Sequence, residues 1–109
     1  MLLMSRIELP KKQDPAAFGD FMRDEYIPAV HKGQTRAGMV EELELLQSAG
    51  TETNHTFLWL LNWNGIIPGP TFLGGVDDED VLHRFEGFGA TVKPHVSWQE
   101  VARWSQPTS

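Results

Sequence analysis

Four residues of this chain carry side chains that together suit work on a conjugated carbonyl or a phenolate: His31, Arg36, Asn62 and Trp63. Trp63 offers an aromatic shelf. Arg36 is a fixed cation that would hold a developing oxyanion, Asn62 is an amide that would orient it, and the His31 imidazole could move a proton near neutral pH. His31 and Arg36 are therefore the expected catalytic pair, and Asn62, Trp63, Thr35 and Trp59 the expected substrate-binding groups. Each has a plainer reading as well. A histidine near a helix C-terminus interacts with the helix dipole, an arginine in a turn is solvated, and a tryptophan at a strand end packs in a core or a dimer contact.

Residues so far apart in sequence meet only if the elements between them return to one end of the fold. Asp14 followed by Pro15 reads as an N-cap with proline at the first helical position, opening a helix with the stripe Phe18, Phe21, Met22, Tyr26 and Ala29. Pro28 should kink or end it. This helix follows a first strand over residues 1–9, with Leu3, Ile7 and Leu9 on one face and Met4, Arg6 and Glu8 on the other. Running antiparallel to that strand, the helix brings His31 to the sheet end where a second strand, 38–47, begins beside Thr35 and Arg36.

The segment 55–76, HTFLWLLNWNGIIPGPTFLGGV, joins an apolar third strand (56–63) to a long Gly/Pro-rich loop. Strands two and three form a hairpin through SAGTETN, so Asn62 and Trp63 arrive at the same rim as His31. The loop 65–75 should fold over that rim or reach across a dimer partner, through Ile66 and Ile67. His55 and His95 fall at the opposite rim. Asp77 caps a second helix with stripe Val81, Leu82, Phe85, Phe88 and Val92, stopped by Pro94, and 97–104 is the last strand, placing Trp98, Ala102 and Trp104 on one face.

Other polar groups admit both a functional and a plain reading. Glu25 falls within the apolar stripe of the first helix, where it is either paired, turned outward at Pro28, or a buried base with a raised pKa. Glu42 and Glu44 share one face of strand two, and hairpin register decides whether they lie beside Trp59 and Trp63 or beside Leu58 and Leu60. No histidine spacing fits a metal site. The run Asp77, Asp78, Glu79, Asp80 repels anions from the Gly74-Gly75 turn, which argues against phosphate there, and no nucleophile elbow of a hydrolase is present.

Composition bounds the rest. A chain of 109 residues without cysteine is one domain, 1–104 with a flexible tail 105–109, able to fold without disulfides. A net charge of −6 with no basic stripe gives no nucleic-acid footprint. The short apolar start, residues 1–4, reads as neither signal peptide nor membrane span, so a cytoplasmic protein with no membrane partner is the expectation.

The element order β-α-β-β-α-β is that of the ferredoxin-like α+β sandwich, an antiparallel four-stranded sheet with two helices on one face. Its strands carry apolar residues on both faces, with Trp59 and Trp63 opposite Leu58 and Leu60. A second copy is the simplest cover, burying either the Trp98, Ala102, Trp104 face or the Trp59, Trp63 face in a homodimer. In element order, length and the run TFLWLLNWN the chain resembles the dimeric α+β barrel superfamily, which includes antibiotic-biosynthesis monooxygenases and stress-responsive barrel proteins. That resemblance implies a small-molecule-binding homodimer, a cofactor-independent monooxygenase or isomerase acting on an aromatic or polyketide-like substrate. A non-catalytic ligand-binding or structural homodimer is the alternative. A haem-degrading monooxygenase fits less well. Trp63 matches that branch's strand tryptophan, but the first strand offers only Ser5 and Arg6 where an asparagine belongs, and His83 lies opposite the apolar stripe of its helix.

Overall fold

The computed structural model describes residues 1–34, 40–50, 52–67, 69–99 and 101–106. Thr35, Arg36, residues 38–39 of the expected second strand, Thr51 of the hairpin turn, Pro68 of the loop and 107–109 of the tail lie outside the described residues. The elements are β1 (Leu2–Glu8), α1 (Pro15–Phe21), a π-helical stretch (Met22–Tyr26), α2 (Ile27–Gln34), β2 (Val40–Gln47), β3 (Thr56–Trp63), α3 (Glu79–Gly87), β4 (Thr91–Val92) and β5 (Val96–Trp98). This is an α+β fold on one antiparallel sheet of order β2-β3-β1-β4, with β5 pairing the same edge of β1 as β4. Among the described residues no helix is long and apolar enough to cross a membrane.

Alternation along the two central strands sorts the faces. Leu3, Ser5, Ile7, Phe57, Trp59, Leu61 and Trp63 are buried, together with Phe18, Phe21, Met22, Tyr26 and Val30 of the first helix and Val81 of α3. The intervening residues Leu2, Met4, Leu58, Leu60 and Asn62 therefore point to the face away from the helices. The Trp59, Trp63 face is thus the helix-covered one and is not available to a second copy.

The first helix opens as its sequence dictates, with the Asp14 carboxylate accepting the Ala16 N–H at 3.0 Å. It does not end at Pro28. A proline cannot donate to the carbonyl four residues back, here that of Asp24, and this residue lies inside the widened π turn, where the Ile27 N–H bonds to the Met22 carbonyl. The same turn corrects the stripe. In a regular α-helix each step of four residues overshoots a turn by roughly 40°, so a run of such steps drifts off the face. The extra residue absorbs the drift, and Phe18, Met22, Tyr26 and Val30 are all buried while Ala29 is only half-buried.

Two further boundaries differ from the expected ones. Asp78 rather than Asp77 caps α3, accepting the N–H groups of Asp80 and Val81 at 3.0 and 3.3 Å. The helix ends at Gly87, ahead of Pro94, because Gly89 takes the left-handed conformation (φ 67°) that closes helix C-termini, and Val92 belongs to β4 instead. The last strand is not continuous over 97–104. Lys93-Pro94-His95 separates β4 from β5, proline having no N–H for the ladder. Trp98 already pairs with Leu2, the first residue of β1, so the chain beyond it runs out of partner strand. The described part of 101–106 has no regular structure, and no face of Trp98, Ala102 and Trp104 forms.

Candidate functional site

Asn62 and Trp63 are neighbours on β3 and so project to opposite faces. Trp63 lies under the helices, 4% exposed, with its indole N–H donated to the Ile66 carbonyl at 3.2 Å and its ring edge-on to Phe72 at 4.8 Å. Trp59 is fully buried and donates to the Leu73 carbonyl at 3.0 Å. Both indoles thus pack in the core and fasten the loop after β3. Asn62, on the open face, accepts a hydrogen bond from the amino group of Met1 at 3.4 Å, and that amino group also donates to the Trp63 carbonyl at 3.0 Å. His31 is exposed on the last turn of α2. The expected rim therefore separates into a helix-side part holding Trp59 and Trp63 and an open-face part holding Asn62, while Thr35 and Arg36 lie outside the described residues.

The loop after β3 folds back on its own protomer. Leu73 is buried, Ile67 and Phe72 pack on the core, and Ile66 stands 91% exposed. At Gly74 (φ 118°) the loop comes so close to α2 that an added Cβ would lie 2.8 Å from Val30 Cγ1. The His95 N–H donates to the Pro70 carbonyl at 2.7 Å. His95 is accordingly not at the far rim but partway along the fourth-strand edge, against this loop. His55 does sit by the first helix turn, its Nε2 3.0 Å from the Gln13 carbonyl oxygen.

Three of the concavities among the described residues lie on the open sheet face, between the helices and beside the π turn, and a further one of about 340 Å³ lies between Ala29, Lys32 and Gly33 of α2 and Asp77 and Asp78. On the open sheet face a cleft of about 780 Å³ is lined by Met1, Leu2, Glu42, Glu44, Leu60, Asn62, Trp98, Gln99 and Arg103. Its acidic wall follows from register: Glu42 pairs with Asn62 and Glu44 with Leu60, which places both carboxylates on the open face. A bulge between Val40 and Glu42 shifts Val40 off that face, to pair with Trp63. Between the helices a groove of about 730 Å³ is floored by Phe21 and Phe88. Glu25 stands at its edge in an ion pair with Arg84, its side chain 36% exposed, which answers the question of a carboxylate within the stripe: it is paired, not sealed.

The third concavity, about 350 Å³, opens between the π turn, α3 and residues 71–76, and Tyr26 lines it. Tyr26 is 5% exposed, and its ring contacts Trp59 (5.6 Å) and Phe85 (5.0 Å). Burial pushes its phenol up to about 12. In the sequence Tyr26 reads only as part of the helix stripe. The available signal was that the chain's single tyrosine interrupts an otherwise aliphatic and phenylalanine stripe. Among the described residues no three His, Cys, Asp or Glu side chains are grouped to hold a metal ion. Compared with known proteins, the chain matches no family model, no curated protein and no solved structure.

Proposed function

We propose that the chain is a ferredoxin-like protomer that pairs with a second copy through its open sheet face, as in a dimeric α+β barrel, and that the homodimer binds a small aromatic or polyketide-like molecule. The observation that carries the reading is the composition of that face. Across the sheet the register forms the rows Trp98, Leu2, Asn62, Glu42; then Val96, Met4, Leu60, Glu44; then Arg6, Leu58, Leu46. Leu46, Val96 and Trp98 are 42%, 54% and 52% exposed. Apolar side chains contiguous over three rows and lying outside the helix-covered core are what a partner surface requires, and an isologous pairing of sheets covers them on both copies at once. The expected interface exceeds roughly 1,200 Å² in total. Sedimentation equilibrium at micromolar concentration should return twice the 12.3 kDa chain mass, and a monomer mass would overturn the assembly.

A binding role is the reading the geometry favours over a catalytic one. Trp59, Phe18, Met22, Val30, Ile7 and Leu61 are sealed between sheet and helices, so the expected aromatic shelf offers no face to a substrate. Cofactor-independent monooxygenation or isomerisation through His31 and Arg36 is the second reading. It is favoured by the return of α2 to the end of the loop, where the Cβ position of Gly33 lies 3.5 Å from Asp77 Oδ2. Turnover of an aromatic substrate that is lost in both His31→Ala and Arg36→Ala, with the dimer intact, would select it.

A further inference from the structure

We infer that, where two open sheet faces meet, Arg103 of one copy pairs with Glu42 and Glu44 of the other, and that this pairing sets how the two sheets are oriented. It rests on the assembly half of the reading above and adds the residues and the symmetry axis. Glu42, Glu44 and Arg103 line one cleft on the open face, and all three are exposed. Among the described residues none of them is in an ion pair, whereas Arg6 is held by Glu8 at 3.1 Å. The charge on this face is lopsided. Both carboxylates stand on β2, at one edge of the sheet, and Arg103 belongs to the segment that leaves β5, at the other.

A second copy turns that polarity into a choice. Two sheets packed face to face are related by a two-fold axis that runs either along the strands or across them. An axis across the strands sets β2 over β2, so the carboxylates of both copies confront one another in a space that excludes water, which is strongly unfavourable. An axis along the strands sets the β5 side of each copy over the β2 edge of the other. Each row then faces its own reverse, with Trp98 towards the partner's Glu42 and Val96 towards the partner's Glu44. Left with those apolar neighbours alone, the carboxylates would be buried unpaired, at a high cost. Arg103 is the cation that arrives from that side. Sheets stack about 10 Å apart, a gap that an arginine and a glutamate side chain close from opposite sides. The pairs act chiefly on specificity, while Leu2, Met4 and Leu60 supply the apolar contact between them.

An exchange of charge between copies tests this. Arg103→Glu sets like charges against each other at both symmetric sites of its own dimer, and so does the double variant Glu42→Arg with Glu44→Arg. Each should raise the dissociation constant of its own dimer at least about tenfold. An equimolar mixture of the two should restore dimers close to wild-type affinity, because the mixed pair has opposite charges at both sites. Light scattering reads each variant and the mixture, and circular dichroism checks that the variants, altered only at exposed positions, are folded. The neutral double variant Glu42→Gln with Glu44→Gln gives a second reading without reversed charge. Its dissociation constant should rise less with sodium chloride than that of the wild type. Variants that dimerise as the wild type does, an unchanged salt dependence in the neutral variant, or a mixture that stays monomeric would overturn the pairing, the last placing Arg103 on the glutamates of its own chain. Any of these results beside a dimeric wild type leaves the assembly standing. A monomeric wild type removes assembly and pairing together.

Discussion

The indole N–H of Trp59, at the centre of β3, donates to the carbonyl oxygen of Leu73 at 3.0 Å. One side chain thereby joins the middle of the sheet to a loop fourteen residues further along and holds Leu73 in the core. Trp59→Phe keeps an aromatic ring but leaves a buried carbonyl unpaired, which costs about 1–3 kcal/mol before any loss of packing. Urea unfolding should show that loss, and hydrogen exchange should show earlier opening at the Phe72 amide, which is bonded to the Gly69 carbonyl. Trp63→Phe breaks a less buried hydrogen bond, to Ile66, and should cost less.

Tyr26 makes stability depend on alkaline pH. Its folded-state ionisation is raised to about 12 from 10.0 by burial, so the unfolded chain loses this proton first. The contribution is fully present below pH 10 and is lost as pH rises through about 12, amounting to about 3 kcal/mol at most. Wild type minus Tyr26→Phe, followed by unfolding at a series of pH values, should isolate that fall from the titration of lysines. A difference that stays flat across the window would mean that Tyr26 is not held away from water.

Ser5 sits on the inner face of β1, 1% exposed, and among the described residues its hydroxyl has no hydrogen-bond partner. Ser5→Ala removes an unpaired buried polar atom at almost constant shape and should stabilise the fold by about 1 kcal/mol. The midpoint of urea unfolding should rise with an unchanged slope. A lower midpoint would show that the hydroxyl is bonded in solution, to an ordered water.

The elements most legible in the sequence were those set by local chemistry. The alternation of 57–63 separates Trp59 and Trp63 from Leu58 and Leu60, and Asp14-Pro15 marks the helix start to the residue. What escaped was set by neighbours. The π turn that returns Val30 to the core has no local signature beyond Pro28, and the register placing Glu42 beside Asn62 depends on a bulge. The last strand ends where β1 ends, which no pattern in 97–104 reveals. The candidate site divided for a simple reason: proximity along β3 brings Asn62 and Trp63 to one end of the sheet, but the two-residue period sends their side chains to opposite faces. Tyr26 was hidden because a tyrosine on an apolar stripe reads as core, and only the third dimension shows a cavity beside it.

In the proposed assembly two copies meet through the open sheet face, which carries Leu60 between Met4 and Glu44. Light scattering of wild type and Leu60→Asp at the same micromolar concentration tests it most directly, with far-ultraviolet circular dichroism as the check on folding. The predicted result is a dimer for the wild type and a folded monomer for Leu60→Asp. A wild type that scatters as a single 12.3 kDa chain, or a folded Leu60→Asp that remains dimeric, would overturn that assembly.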